Sequence, residues 1–468
     1  MGHSTEVTLD DILRRCVEIM RSLGLDPPPL QVKQMFADQL TTFIALTGME
    51  TRYAHWSFAQ ARALLLRRRL GWPATADYVT NAIPATIPVS REDALPLRIL
   101  ATVDGAIRAE FMYHNRHFGG TRPDLVQFEM REHAHMVDRL LADPDIDPGV
   151  VRDTLTAAHG LRLVREFPQG KRGYSLLSHI AAHSPSLTDW QRDLVRIVDR
   201  EMEHFAPQIG TRILQAGWAA YWTPIILEAL LLDDRALRDQ ALFQYKRVVQ
   251  RFPNYQSGER LNPAFIGKTI LTDVERRWRE QETATLQEPW FRENVSAKEQ
   301  LFALARRGHD TSVLRAWLTR ENAETLGLVR EVTSPAAQKV DVAGVLFDTP
   351  KGAPIVWDVV DAEGWQAVRD VFLLRVGFGD WPRIAIADTE DEELPGALVL
   401  EHIWDVAELD SEKAEATLRH VQNLWAPGAV LNTRKMAGDK PLRFECDSAG
   451  KVTLDADVAV QPHIPMGY

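Results

Sequence analysis

The sequence predicts a mostly α protein, with an N-terminal helical, bundle-like domain followed by a smaller α/β domain of the ferredoxin-like, split β-α-β kind. Three observations lead there. Apolar residues recur at helical spacing through the first two thirds of the chain, and the period becomes mixed after about residue 330. The 468 residues also exceed the roughly 250 to 300 at which a single core stops growing. The expected division is a helical core domain over 1–295 and a helical linker plus the small α/β part over 296–468.

The elements follow in order. Thr8 and Asp11 form a capping-box-like start, Ile12, Cys16, Ile19 and Leu23 fall at helical spacing, and Gly24 stops the helix before Asp26-Pro27-Pro28-Pro29. Trp190, Leu194, Ile197 and Val198 mark a second amphipathic helix, which Pro207 is expected to close. The stretch 213–222 is apolar enough to predict a helix buried on all sides. Segments 118–123, 167–171 and 252–258, rich in Gly, Pro and Asn, read as linkers. Farther on, 340–347 and 354–360 read as strands joined by the turn Pro350-Lys351-Gly352, and 362–376 reads as a helix. Strands over 383–387 and 397–404 flank an acidic loop ending in Pro395-Gly396. Asp410 then caps a helix with Ala414, Leu418, Val421 and Trp425 on one face.

Composition excludes several function classes. The net charge is -11 with both signs intermixed, which leaves neither a nucleic-acid footprint nor a polybasic membrane anchor. Two cysteines, Cys16 and Cys446, provide neither a disulfide framework nor a cysteine zinc cluster. The most apolar run, 225–232, is too short to span a bilayer and contains Glu228. A cytoplasmic protein with no membrane span and no nucleic-acid partner is the expectation. Nucleophile-elbow, Walker, dinucleotide and His-Glu-x-x-His patterns are absent, and Gly377-Phe378-Gly379 follows a helix and reads as a stop.

A set of short motifs identifies a family resemblance. Gly24-Leu25-Asp26-Pro27, His55-Trp56-Ser57-Phe58, Asp189-Trp190-Gln191-Arg192-Asp193, Pro207-Gln208, Gly217-Trp218-Ala219-Ala220-Tyr221-Trp222, Leu261-Asn262-Pro263, Asp273-Val274-Glu275-Arg276-Arg277-Trp278 and Leu424-Trp425 resemble, in that order, segments of the SpoVR (stage V sporulation protein R-like) family. Members of that family characteristically carry two histidines in a pattern close to His-x4-His and, later, Asn-Glu-Gly-Trp-Ala-x-Tyr/Phe-Trp-His. The resemblance implies a presumed metal pocket built from these His and Glu side chains. It further implies a setting in bacterial sporulation or stress responses, and protein partners of two kinds, a serine kinase and a von Willebrand-type protein.

This sequence departs from the family at the polar centre of that pocket. Asp104 and Ala109 stand in the frame of the two histidines, and Gln215-Ala216-Gly217 puts Ala216 at the Glu position. Thr223 replaces the terminal His, while the aromatic frame of Trp218, Tyr221 and Trp222 is kept. One hard carboxylate does not hold a borderline divalent ion. The expectation is therefore a chain with no cofactor that works by binding, as a scaffold or regulator. Its pocket would be lined by His55, Trp56, Asp104, Ala109, Gln215, Ala216, Trp218, Tyr221, Trp222 and Thr223.

Two alternatives stay open. A relocated zinc or iron site would make the chain a metal-dependent hydrolase or a di-iron oxidase. Its candidate ligands are Glu110, His114 and His117 at i, i+4 and i+7, and the Glu-x-x-His pairs Glu132/His135 and Glu201/His204, with Asp104 or Glu203 adding carboxylates. The bland reading of the same residues is the solvated polar face of amphipathic helices. The second alternative is a small molecule held in the residual aromatic pocket. His55 and the aromatic run also have an ordinary reading, as buried structural residues that need hydrogen-bond partners.

Overall fold

The first helix, α1 (Leu9–Ser22), begins as its sequence dictates. The Thr8 hydroxyl accepts the Asp11 N–H at 3.2 Å, Ile12, Cys16 and Met20 are buried, and Gly24 leaves the helix at φ +83°. The computed structural model describes residues 8–40, 43, 79–164, 175–249, 262–279, 296–326, 329–331, 357–359, 369, 373, 384–387, 391, 393–403, 409–435 and 440–455. Among the described residues no helix is long and apolar enough to cross a membrane.

Contacts divide the chain into two units, and both are discontinuous in sequence. The first comprises Met1–Gln127 and His204–Asp380, the second Phe128–Glu203 and Trp381–Tyr468. This differs from a sequential division at 295/296, and the reason is long-range packing. Helix α4 (Pro148–Leu161) packs on the C-terminal helix α13 (Ser411–Trp425). The Ser184 hydroxyl donates to the Leu424 carbonyl at 2.7 Å. Periodicity along the chain carries no trace of such pairings.

The first unit is built around two helices that are buried nearly all round. In α2 (Leu95–His114) every residue from Ile99 to Met112 is buried, and α7 (Arg212–Leu230) is buried over most of its length, as the apolar run predicts. Around them pack α1, α8 (Arg235–Val248), α9 (Pro263–Arg279) and α10 (Ala297–Arg307). A two-stranded parallel ribbon, β1 (Leu30–Met35) with β2 (Ala85–Ser90), lies against α2. The sequence reading contained no strand in this half. Pro88 interrupts the apolar run of β2, and β1 is too short to establish a period.

The second unit holds a five-stranded sheet in the order β5 (Ile384–Ile386), β6 (Leu398–His402), β7 (Ala429–Lys435), β8 (Lys440–Cys446), β9 (Val452–Asp455). Its β5–β6 hairpin and the Asp410 cap of α13 match the sequence reading, and the class, mostly α with a C-terminal α/β part, stands. The strand order is not that of a split motif. β6 and β7 are adjacent and parallel, so their crossover through α13 is a simple β-α-β unit, extended by the antiparallel β8 and β9. Of the earlier strands, β4 (Trp357–Val359) falls inside 354–360 and pairs in parallel with β3 (Val329–Glu331). The expected strand 340–347 and most of the helix 362–376 lie outside the described residues. Helix α6 (Asp189–Gly210) does not end at Pro207 but runs through it, and the Pro207 carbonyl accepts the Thr211 hydroxyl at 2.7 Å.

Candidate functional site

The Gly-Trp-Ala-Ala-Tyr-Trp motif sits on α7 at the centre of the first unit, and its glycine has a packing reason. A Cβ placed on Gly267 of α9 would lie 2.6 Å from the Gly217 Cα and 2.9 Å from the Gly217 nitrogen. The two helix backbones touch there, and only glycine on both sides permits it.

The aromatic residues of the motif form an edge-to-face stack. The Trp218 ring meets Phe302 at 5.3 Å and Trp222 at 5.6 Å, and Trp222 meets Tyr221 at 5.2 Å. Their polar atoms do not all find partners. The Trp218 indole donates to Glu110 Oε2 at 2.9 Å and the Tyr221 hydroxyl donates to Glu275 Oε2 at 2.6 Å. The Trp222 indole N–H and the Thr223 hydroxyl are buried with no hydrogen-bond partner. Burial pushes the Glu110 carboxyl above the usual carboxylate range, while the Trp218 indole, His114 and Arg306 pull it back. Burial, together with the Glu275 carboxylate, raises the Tyr221 phenol.

Charge of both signs is buried on α2. Asp104 Oδ2 accepts from Arg108 Nε at 2.6 Å, one helical turn along α2, and both side chains are buried. Ala109 is buried, Ala216 packs with Ala220 and Ala264, Thr223 is buried, and Gln215 is half-buried. The Tyr245 hydroxyl donates to the Ala220 carbonyl at 2.6 Å, and burial followed by the Asp104 charge raises this phenol. Lys268 Nζ lies 5.0 Å from the Tyr245 ring centroid, and burial lowers its pKa. His55 and Trp56 lie outside the described residues.

The structure sends the residues of the alternative metal site in different directions. Glu110 holds Trp218, His114 Nε2 donates to the Asp26 carbonyl at 2.7 Å, and His117 faces His309 edge-to-face at 5.2 Å. Glu132 and His135 are both exposed, 3.9 Å apart. Glu201 is buried and takes its hydrogen bond from His133, at 2.9 Å, and the buried His204 reaches the Thr121 carbonyl at 3.3 Å. Among the described residues no three His, Cys, Asp or Glu side chains are grouped to hold a metal ion.

Sequence reasoning passed over Arg108, His133, Tyr245, Lys268, His309 and Asp310. The i+4 spacing of Arg108 after Asp104 was the one available signal. Asp310 is fully buried and uses its carboxyl to accept the N–H groups of Ile213 and Leu214, at 2.9 and 2.8 Å, capping the start of α7 from another helix. Beside it a small hollow is lined by Ile213, Leu214, Gly267, Ile270 and Val313.

Comparison with known proteins agrees with the motifs. The family model described as SpoVR like protein matches residues 157–374. The uncharacterized protein YcgB of Escherichia coli (strain K12) is 21% identical over 500 residues, an alignment covering 94% of this chain and 94% of that protein. No solved structure matches.

Proposed function

We propose that this chain, a SpoVR-like protein, works by binding, as a scaffold or regulator in a bacterial sporulation or stress-related process, without the family's presumed metal chemistry. The observation that supports this reading is the buried Asp104–Arg108 ion pair. A carboxylate neutralised at 2.6 Å by a guanidinium is a poor ligand, because Arg cannot be deprotonated to release it. Ala109, Ala216 and Thr223 provide no imidazole or carboxylate at the other three family positions. The partners the resemblance suggests are a serine kinase and a von Willebrand-type protein, acting in the cytoplasm. The test is co-elution of the purified chain with each of these proteins from its own organism, with the complex expected to survive a metal chelator. A complex that needs added Zn(II) or Fe(II), or none with either protein, would overturn the reading.

A small polar molecule in the aromatic frame is the second reading. It is supported by the buried Trp222 N–H and Thr223 hydroxyl, which are left without partners, each at a cost of about 1–3 kcal/mol. Native mass spectrometry of freshly purified protein tests it. A stoichiometric adduct, lost in Thr223→Val, is expected if a ligand supplies those bonds, and bare chain mass would end this reading.

A further inference from the structure

A basic cluster with no counter-charge among the described residues stands apart from the aromatic frame, where the turn after α2 meets the start of α11 (Asp310–Trp317). His117 and His309 face each other with ring centroids 5.2 Å apart and are both half-buried. Arg116 and Arg315 are exposed and near enough to act on His309 through their charge. The two rings are fixed by the backbone. His309 Nδ1 accepts the Ser312 N–H at 3.3 Å, which places the proton of the neutral ring on Nε2, and the His117 ring is hydrogen-bonded by the Arg307 backbone. His117 Nε2 is buried with no hydrogen-bond partner.

No carboxylate among the described residues pairs with any of the four. Asp310, the nearest in sequence, spends its oxygens on the N–H groups of Ile213 and Leu214 and faces Arg212. Burial and neighbouring positive charge hold both imidazoles below their ordinary range, His309 at about 4. Two exposed guanidinium groups near two half-buried imidazoles, with one ring nitrogen lacking a partner, carry the charge that an oxyanion would neutralise.

We propose that Arg116, His117, His309 and Arg315 form a binding site for a small phosphorylated molecule, with the phosphate-type oxyanion supplying the missing negative charge. The site goes beyond the binding role proposed above and stands without it. The anion favours the charged imidazoles, so binding takes up protons and tightens as pH falls. The charge of the bound anion favours protonation of His117, whose buried Nε2 has no hydrogen-bond partner.

Calorimetric titration with inorganic sulfate, whose charge is constant from pH 6 to 8, tests the site in the full chain with chloride holding ionic strength fixed. One saturable site is expected, tighter at pH 6 than at pH 8, by about tenfold for an imidazole whose pKa the anion raises to about 7. Inorganic phosphate should compete with the sulfate. The double variant Arg116→Gln/Arg315→Gln, both exposed positions, should weaken binding by about tenfold or more while melting at the same temperature in chloride. If the double variant fails to fold, Arg116→Gln alone carries the same expectation in smaller degree. Heat no greater than that of chloride, affinity independent of pH, binding untouched by the variants, or binding of a phosphorylated peptide without any of sulfate or phosphate would each overturn the proposal.

Discussion

Replacing Arg108 by Met keeps an unbranched stem and removes the charged guanidinium, which tests the ion pair with Asp104. At 2.6 Å, with the two side chains only 9% and 12% exposed, the pair is out of reach of salt screening. Arg108→Met leaves a carboxylate buried without its counter-charge, and a loss of about 3–5 kcal/mol of stability is expected. Adding Asp104→Leu removes the orphaned charge. If the pair is a filler of the former pocket, the double variant should return to within about 1 kcal/mol of the parent or exceed it. Urea unfolding followed by tryptophan fluorescence and circular dichroism, compared at unchanged m, reads both differences. A single variant that loses less than about 1 kcal/mol, or a double variant as unstable as the single, would refute the reasoning.

Three other perturbations follow from the same geometry. Gly217→Ala should destabilise by about 1–3 kcal/mol or more, seen as a lowered melting temperature, because the new methyl group meets the backbone of Gly267 and no side chain can move aside. In the second unit, Arg443 holds Asp391 through two contacts of 2.8 and 2.9 Å and also binds Glu445; Arg443→Ala should release Asp391 and speed cleavage beside it by an acid-directed protease severalfold. pH dependence should carry two opposed contributions. The His309 pKa is lowered to about 4, so its contribution is complete above pH 6.5 and is lost as pH falls from 6.5 toward 4; Asp310 is raised to about 7, so its contribution is complete below pH 3.8 and is lost as pH rises toward 7. In chloride buffer, His309→Gln should remove the first and leave the second, measured by urea midpoints at each half unit of pH.

The helices were legible wherever a single element contains its own reasons. Thr8 capping α1, the all-apolar run of α7 and Asp410 capping α13 are local facts, written in adjacent residues. The Pro207 boundary failed because proline removes one hydrogen bond, which a helix held by tertiary packing can forgo. The discontinuous units, the β1–β2 ribbon and the β7–β8–β9 meander rest on pairings far apart in sequence, and period alone is blind to them. At the site, the motif positions located the aromatic frame, and Asp104, Ala109, Ala216 and Thr223 were the positions where the sequence departed from the resembled pattern. What replaced it was not legible. The Glu110–Trp218 bond and the Gly217–Gly267 contact join helices more than forty residues apart, and the Asp310 cap reaches nearly a hundred residues back to the start of α7.

The acidic loop is a further instance of the same limit. Sequence showed it only as a run of acidic charge, whereas Asp391 is held by Arg443. Burial would raise the Asp391 carboxyl, but the guanidinium and two backbone N–H groups outweigh it and keep it below the usual range.

The most direct test of the central claim is quantitative metal analysis by mass spectrometry of untagged protein, purified without chelators and compared with His114→Ala and His135→Ala. A chain whose polar centre is filled by Asp104 and Arg108 should contain well under one zinc or iron per molecule, unchanged by either substitution. One metal or more per chain, lost when His114 or His135 is removed, would contradict the account and restore a metal-dependent enzyme with a relocated site.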